Sequence, residues 1–365
     1  MAMSDYVNHV MLALISLFLS IIIPSIHYLA MKRKTIEYHS ENSFTALPEV
    51  TIILPMRNEE ANVSRKIKEI FSFNYPKELL RILAVESCSS DNTARIAAEM
   101  IGNNGDVHSL NQPGKSRAVN YAIDLVETDF FFLLDADANC GVNTIFDALK
   151  WFEDEKIGAV CGRQCDSFSE FDPYRTRFNT IRTGESAVNS TPILEGSLCC
   201  FRKTAIGDNR LDTRINADDT QLSMIVRRNG YRAIMDPNLK FSEDYEISRR
   251  RKVRRAQGIS RALMMNKDMC LGYGKFSAIL ASNIFFYVFM PWIILCSGVV
   301  LLNDFLTPWD KMIENIRHIT STVVIFLAAI AVKFVREFLI GISILIESHI
   351  RLVFGNSLEI WIPDR

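Results

Sequence analysis

Apolar residues are distributed in three different ways along the chain. From Val10 to Ala30 they run almost unbroken, and about 20 such residues are enough to cross a bilayer as a helix. The basic cluster Met31-Lys32-Arg33-Lys34 follows that run, whereas a cleavable signal carries its charges first, so the segment reads as a retained anchor. Neighbouring helices would tolerate a kink at Pro24. Basic residues mark the cytoplasmic side, which puts the N-terminus outside and the chain after Lys34 in the cytoplasm. Residues 1–34 are thus an expected anchor and 35–48 a polar linker.

The middle of the chain has short β-branched or apolar runs alternating with helical patterns. Val50-Thr51-Ile52-Ile53-Leu54-Pro55 predicts a strand, followed after a polar turn by a helix from about Ala61 to Phe71. A second strand, Leu80 to Val85, ends in Glu86-Ser87-Cys88-Ser89-Ser90-Asp91-Asn92-Thr93 before a helix through Met100. Asp129 to Leu134 is a third apolar run, and it stops at Asp135-Ala136-Asp137. Such alternation predicts βαβ units in a parallel sheet, whose ligands gather where the strands end. Polar clusters at the ends of three strands point to a nucleotide site.

Asp135 and Asp137 have two readings. Residues two apart on an extended chain face the same way, so both carboxylates would meet one cation and, through it, a diphosphate. Alternatively the two acids only close a strand and cap the next helix. Gly114-Lys115 opens a further helix, but the upstream glycine of an ATP-binding phosphate loop is missing. Lys115 and the helix N-terminus would still favour a diphosphate.

Beyond the basic run Arg249 to Arg255, the segment Ile259 to Phe276 looks amphipathic, fit to lie along a membrane or simply to pack. Ile279 to Leu302 carries no charge and predicts a span running outward, and Asn303 to His318 a polar loop. Ile319 to Val335 would return. Glu347, His349 and Arg351 interrupt the last apolar stretch, Phe338 to Phe354, which reads as an interfacial helix, with a further span as the alternative.

Composition adds limits. With 48% hydrophobic and 23% charged residues the chain is not generally disordered, and a net charge of -1 averages unlike regions. The eight cysteines follow no disulfide framework or zinc spacing, which argues for free thiols in a reducing compartment.

Six ordered segments resemble glycosyltransferase family 2. They are Leu54-Pro55-Met56-Arg57-Asn58-Glu59-Glu60, Val85 to Thr93, Gly114 to Asn120, Asp135-Ala136-Asp137, Glu195-Gly196-Ser197-Leu198-Cys199-Cys200, and Asn216-Ala217-Asp218-Asp219 with Arg228-Asn229-Gly230. Together they cover roughly Val50 to Gly258. The resemblance implies a GT-A fold, an α/β Rossmann-like mixed sheet flanked by helices, between transmembrane helices at both ends. It implies transfer with inversion from a nucleotide-diphospho-sugar bound by Pro55, Arg57, Glu59, Glu86, Lys115 and Asp135. Mg²⁺ or Mn²⁺ on Asp137 and Asp135 would stabilise the departing diphosphate, and Asp219 would take the acceptor's proton. Asp218 and Gly196 would lie on the acceptor side.

The chain departs from the pattern in two places. Glu86-Ser87 stands where the family carries consecutive aspartates that often read the base, so UDP and GDP both remain open. Processive synthases carry Gln-x-x-Arg-Trp where this chain has Arg251, Arg254 and Arg255. An arginine cluster suits phosphate better than a sugar, and such a run also fixes topology beside a membrane.

The expected protein is an integral membrane glycosyltransferase with a cytoplasmic catalytic domain over 49–258, an amphipathic segment over 259–278 and a C-terminal membrane region over 279–365. Its partners would be a nucleotide-sugar, a lipid-carried acceptor such as a polyprenyl or dolichyl phosphate, and the membrane, without nucleic acid. A processive polysaccharide synthase and a non-catalytic nucleotide-sugar-binding subunit are the alternatives.

Overall fold

A computed structural model of the chain describes residues 3–38, 46–165, 173–243, 248–306 and 333–355. After helix α1 (Met3–Lys32), the expected alternation appears as β1 (Val50–Met56), α2 (Glu60–Phe71), β2 (Leu80–Ser87), α3 (Thr93–Ile101), β3 (Gly105–Leu110), α4 (Lys115–Leu125) and β4 (Phe130–Leu134). There follow β5 (Ala138–Cys140), α5 (Thr144–Leu149), β6 (Ile157–Gln164), α6 (Pro173–Val188), β7 (Leu198–Arg202), α7 (Lys203–Ile206), α8 (Asp218–Arg228) and β8 (Arg232–Glu243).

The strands form one eight-stranded mixed sheet in the order β3-β2-β1-β4-β7-β6-β8-β5. β1, β2, β3 and β4 are mutually parallel, so the ends of β1, β2 and β4 share one edge. β7 is antiparallel to both β4 and β6, which makes the sheet mixed. Every residue of β1 and β4 is buried, as expected of strands covered on both faces. Phe130, Phe132 and Leu134 pack with Ile67 of α2, Ile101 of α3 and Ile145 of α5. Phe131 and Leu133 point the other way, toward Val119 of α4 and Val226 of α8. Alternation along the strand thus feeds two core layers, and Phe131 stacks on Phe201 of β7 at 5.3 Å.

Among the described residues, His9–Lys32 and Lys275–Asn303 are long and apolar enough to cross a membrane. The second stretch is built from α10 (Lys275–Ile284), a π-helical turn at Phe285–Phe289 and α11 (Met290–Leu306), and its two ends differ. Phe276, Leu280 and Ile284 of α10 are buried with Ile193, Met224 of α8, Leu263 and Met269. α11 instead exposes Trp292, Leu295, Val299 and Leu302. α9 (Arg249–Met265) unites the basic run with the start of the amphipathic segment, so the boundary expected after Gly258 falls inside it, and the one after Ala278 falls inside α10.

α12 (Lys333–Val353) explains the charges in the last apolar stretch. Glu347 pairs with Arg249 of α9 at 2.8 Å and with Arg351 at 3.0 Å. His349 Nδ1 accepts from Trp292 Nε1 of α11 at 3.0 Å, which leaves its Nε2–H to donate to Ser260 of α9 at 3.1 Å. The expected loop and returning span, Asn303 to Val335, fall almost wholly outside the described residues, as does the tail from Trp361 to Arg365.

Candidate active site

The site grows from the shared strand edge. β4 ends at Leu134, and Asp135 to Ala138 turn back on themselves through Ala138 N–H donating to Asp135 O at 3.3 Å. A turn, not the extended chain assumed from alternation, therefore brings Asp135 and Asp137 together. Pro55 lies in β1 opposite Val85, and Met56 opposite Glu86 at the end of β2, so Arg57 leaves the sheet beside Glu86. The loops after β1 and β2 are cross-linked: Asn58 N–H donates to Ser89 Oγ at 3.0 Å, and Ser90 N–H donates to Asn58 Oδ1 at 2.8 Å. Asn58 and Cys88 both have left-handed φ, 52° and 55°, a conformation that non-glycine residues hold only where surroundings enforce it. Glu86 accepts from the Ser89 amide. Glu59 precedes α2, donating its own N–H to Thr93 Oγ1 at 2.8 Å and accepting from Asn62 at 2.9 Å.

Lys115 opens α4 behind Gly114, whose φ of 145° suits glycine and whose N–H donates to Ser87 Oγ at 2.7 Å. Its Nζ lies 2.7 Å from Asp135 Oδ1 and 3.3 Å from Asp218 Oδ2, linking the β4 turn to the first turn of α8. Burial alone would lower the Lys115 pKa, yet Asp135 and Asp218 hold it above its ordinary value. Asp135 is raised, first by burial and then by the charges of Asp137 and Asp218, against the pull of Lys115.

Asp219 is the neighbour of Asp218 in α8. Burial and the Asp218 charge push its pKa up to about 7, opposed by Lys115, the Thr220 N–H and Arg255. The Thr220 N–H donates to Asp219 Oδ1 at 2.6 Å. Gly196 abuts this acid: a Cβ there would stand 3.3 Å from Asp219 Oδ2. The basic helix α9 closes the rim, with Arg251 Nη2 at 3.4 Å from Asp137 Oδ2 and Arg255 Nη2 at 3.9 Å from Glu243 Oε1. Arg254 is half-buried one turn after Arg251.

Two polar side chains join this constellation without having been singled out from the sequence. Ser197 Oγ stands 2.6 Å from Glu243 Oε1 and 3.4 Å from Asp135 Oδ2. Glu243 ends β8 opposite Ala138, one residue from Asp137. Its only sequence signal is an acid at a strand end, like Glu86.

The donor set is compatible with a hard divalent cation. Asp135 and Asp137 offer carboxylate oxygens at one turn, and no group of three or more His, Cys, Asp or Glu able to hold a metal occurs among the described residues. Mg²⁺ or Mn²⁺ would then take its other ligands from a diphosphate and water, the usual arrangement for phosphate-bridging metals.

Taken together, the mixed sheet and its acidic edge define a GT-A-like fold. Residues 51–209 match the family model of glycosyl transferase family 2. It is similar to beta-monoglucosyldiacylglycerol synthase of Trichormus variabilis, 26% identical over 140 residues, 37% of this chain and 30% of that protein. Hyaluronan synthase of Streptococcus pyogenes is 25% identical over 177 residues, 44% of this chain and 42% of the synthase. The chain thus spans less than half the length of these curated relatives. Among solved structures, the fold is shared with mannosyltransferase PcManGT from Pyrobaculum calidifontis, a complex with GDP-Man and Mn²⁺, at a TM-score of 0.83 and 22% identity over 95% of this chain and 99% of that one.

Proposed function

We propose that the protein is an integral membrane, inverting glycosyltransferase that moves a sugar from a nucleotide-diphospho-sugar to a lipid-carried acceptor. The observation that carries this reading is Asp219: a half-buried acid with a pKa near 7, beside Gly196 and across Lys115 from the Asp135–Asp137 turn. One edge would hold a diphosphate while the other offers a base of suitable strength.

In this reading Pro55, Arg57, Glu59 and Glu86 line the nucleotide side, whose UDP or GDP preference stays open, and Lys115 and Asp135 lie under the diphosphate. Mg²⁺ or Mn²⁺ on Asp137 and Asp135 would offset the charge that builds on the leaving diphosphate. Asp219 accepts the acceptor hydroxyl's proton as that oxygen attacks the anomeric carbon from the opposite face, and the bond to the diphosphate breaks. If the acceptor is a phosphate, already ionised, Asp219 positions it instead. Arg251, Arg254 and Arg255 face that acceptor with Asp218 and Gly196.

The lipid part rests on α9, which carries the arginines and leads within ten residues of its end into α10 and the exposed apolar α11. Basic residues after α1 support a cytoplasmic catalytic domain over residues 49–258 with the N-terminus outside. The beta-monoglucosyldiacylglycerol synthase is named for a lipid product, which supports this reading. Hyaluronan synthase supports a second one, a processive polymer synthase.

Membranes containing the protein, incubated with a panel of labelled nucleotide sugars with and without Mn²⁺, separate these readings. Label in the organic phase is the expected result. Label in a long water-soluble polymer favours the synthase, and no incorporation from any donor overturns both.

A further inference from the structure

A densely bonded acid lies outside this site. Glu185, three residues from the end of α6, is fully buried. Its Oε1 lies 2.7 Å from Asn283 Nδ2 of α10 and 3.3 Å from His27 Nε2 of α1. Its Oε2 lies 2.9 Å from Arg182 Nη1 of the same helix and 2.9 Å from Thr191 Oγ1. Arg182 Nη1 is also 2.7 Å from Asn283 Oδ1, closing the cluster. The adjoining Gly184 lets α1 approach, since a Cβ there would fall 2.4 Å from Met31 O.

Burying a carboxylate is unfavourable until its partners compensate, and an apolar plug often stabilises as well. What the cluster does supply is geometry, because four segments must keep one register to satisfy a single carboxylate. One of them leads to the active site. Thr191 O accepts from Ser223 of α8 at 2.7 Å, one turn after Asp219, and Thr191 N–H donates to Ala233 O of β8 at 2.9 Å. Five residues later the same segment reaches Gly196, against Asp219. Ile193, between them, packs with Met224 of α8 and Phe276 of α10.

We infer that Glu185 is a positioning residue: it fixes the Thr191–Gly196 segment to the apolar helices α1 and α10, and so sets where a membrane-borne acceptor meets Asp219. This rests on the lipid-acceptor reading. Donor binding, on the far strand edge, does not pass through Glu185.

The test is Glu185→Gln in the full chain in membranes, with steady-state constants taken separately for the lipid acceptor and the donor, and donor hydrolysis by water followed alongside. The expected result is an acceptor kcat/KM lower by about 10- to 100-fold, as for a reactant displaced by about an ångström, with donor KM and donor hydrolysis within about twofold of wild type. Equal loss in all three measurements, or none, overturns the inference. Should E185Q not fold, Thr191→Val decides: it removes one hydroxyl and leaves the helix cluster, and the same split, smaller in size, is expected. No split in T191V then overturns the inference. Absence of lipid labelling by wild type would instead overturn the underlying reading.

Discussion

The edges proposed for donor and acceptor use the same residue type differently. On the donor side, Asp135 meets Lys115 and Asp137 meets Arg251, so each acid has a cation within ion-pair distance. On the acceptor side, Asp219 accepts from the Thr220 amide, and burial with the charge of Asp218 outweighs the more distant Lys115 and Arg255. The first arrangement sets a cation against each acid although burial still raises Asp135, and the second makes an acid that trades a proton near neutrality. Asp218 lies between them, tied to Lys115 while raising its neighbour, so the two edges are electrostatically connected.

The sharpest break of this contrast is Asp219→Asn. With a hydroxyl acceptor, kcat should fall by about 10³-fold while donor affinity, measured by titration, stays within about twofold. A folded acid with a raised pKa binds its proton more tightly than in the unfolded chain, so its contribution to stability is lost as pH rises from the ordinary carboxylate range through about 7. Asp219→Asn removes that burden, and its thermal midpoint at pH 8 should rise by about 2–4 °C.

Asp137→Asn strikes the other edge. A loss of about 10²-fold is expected, with weaker donor binding and more Mn²⁺ needed for half-maximal rate, read from a metal titration. Unchanged metal dependence would remove Asp137 from the cation's ligands.

Lys115→Met tests the connection itself. Wild-type kcat/KM with a hydroxyl acceptor should rise with pH through about 7, as Asp219 loses its proton. Lys115 opposes that raised pKa, so its removal should move the rise to higher pH, lowering the rate at pH 7 about fivefold for the first unit moved. A phosphate acceptor would show no such limb, which makes the profile a probe of acceptor chemistry. The smallest effect should come from Gly196→Ala: its methyl group would press on Asp219 Oδ2, and a loss of about three- to tenfold in acceptor kcat/KM is expected with donor KM unchanged.

These edges were not equally legible in the sequence. β1, α2, β2, α3 and β4 form from local periodicity and turn residues, and their limits match expectation within a residue or two. Asp135 and Asp137 stood out because an apolar strand stops at them. Glu185 carried no such signal: its partners lie 158 and 98 positions away in His27 and Asn283, and only docking of α1, α6 and α10 unites them. Glu243 is comparable, paired across β5 and β8. The apolar run from Ile279 to Leu302 illustrates a different limit. Apolar side chains leave water equally well for lipid or for protein, and α10 chose protein.

The π-helical turn at Phe285–Phe289 gives that division a rotational meaning. An α-helix advances by about 100° per residue, so one surplus residue in a widened turn shifts the phase of everything beyond it. The turn lets a single backbone present one face to Ile193, Met224 and Leu263 and, past Phe289, a differently aimed face on which Trp292 meets His349. Deleting one residue there would leave both helices intact and swing Trp292 by about 100° away from that partner. The protein's alignment with its surroundings is thus kept by angular phase as much as by contact.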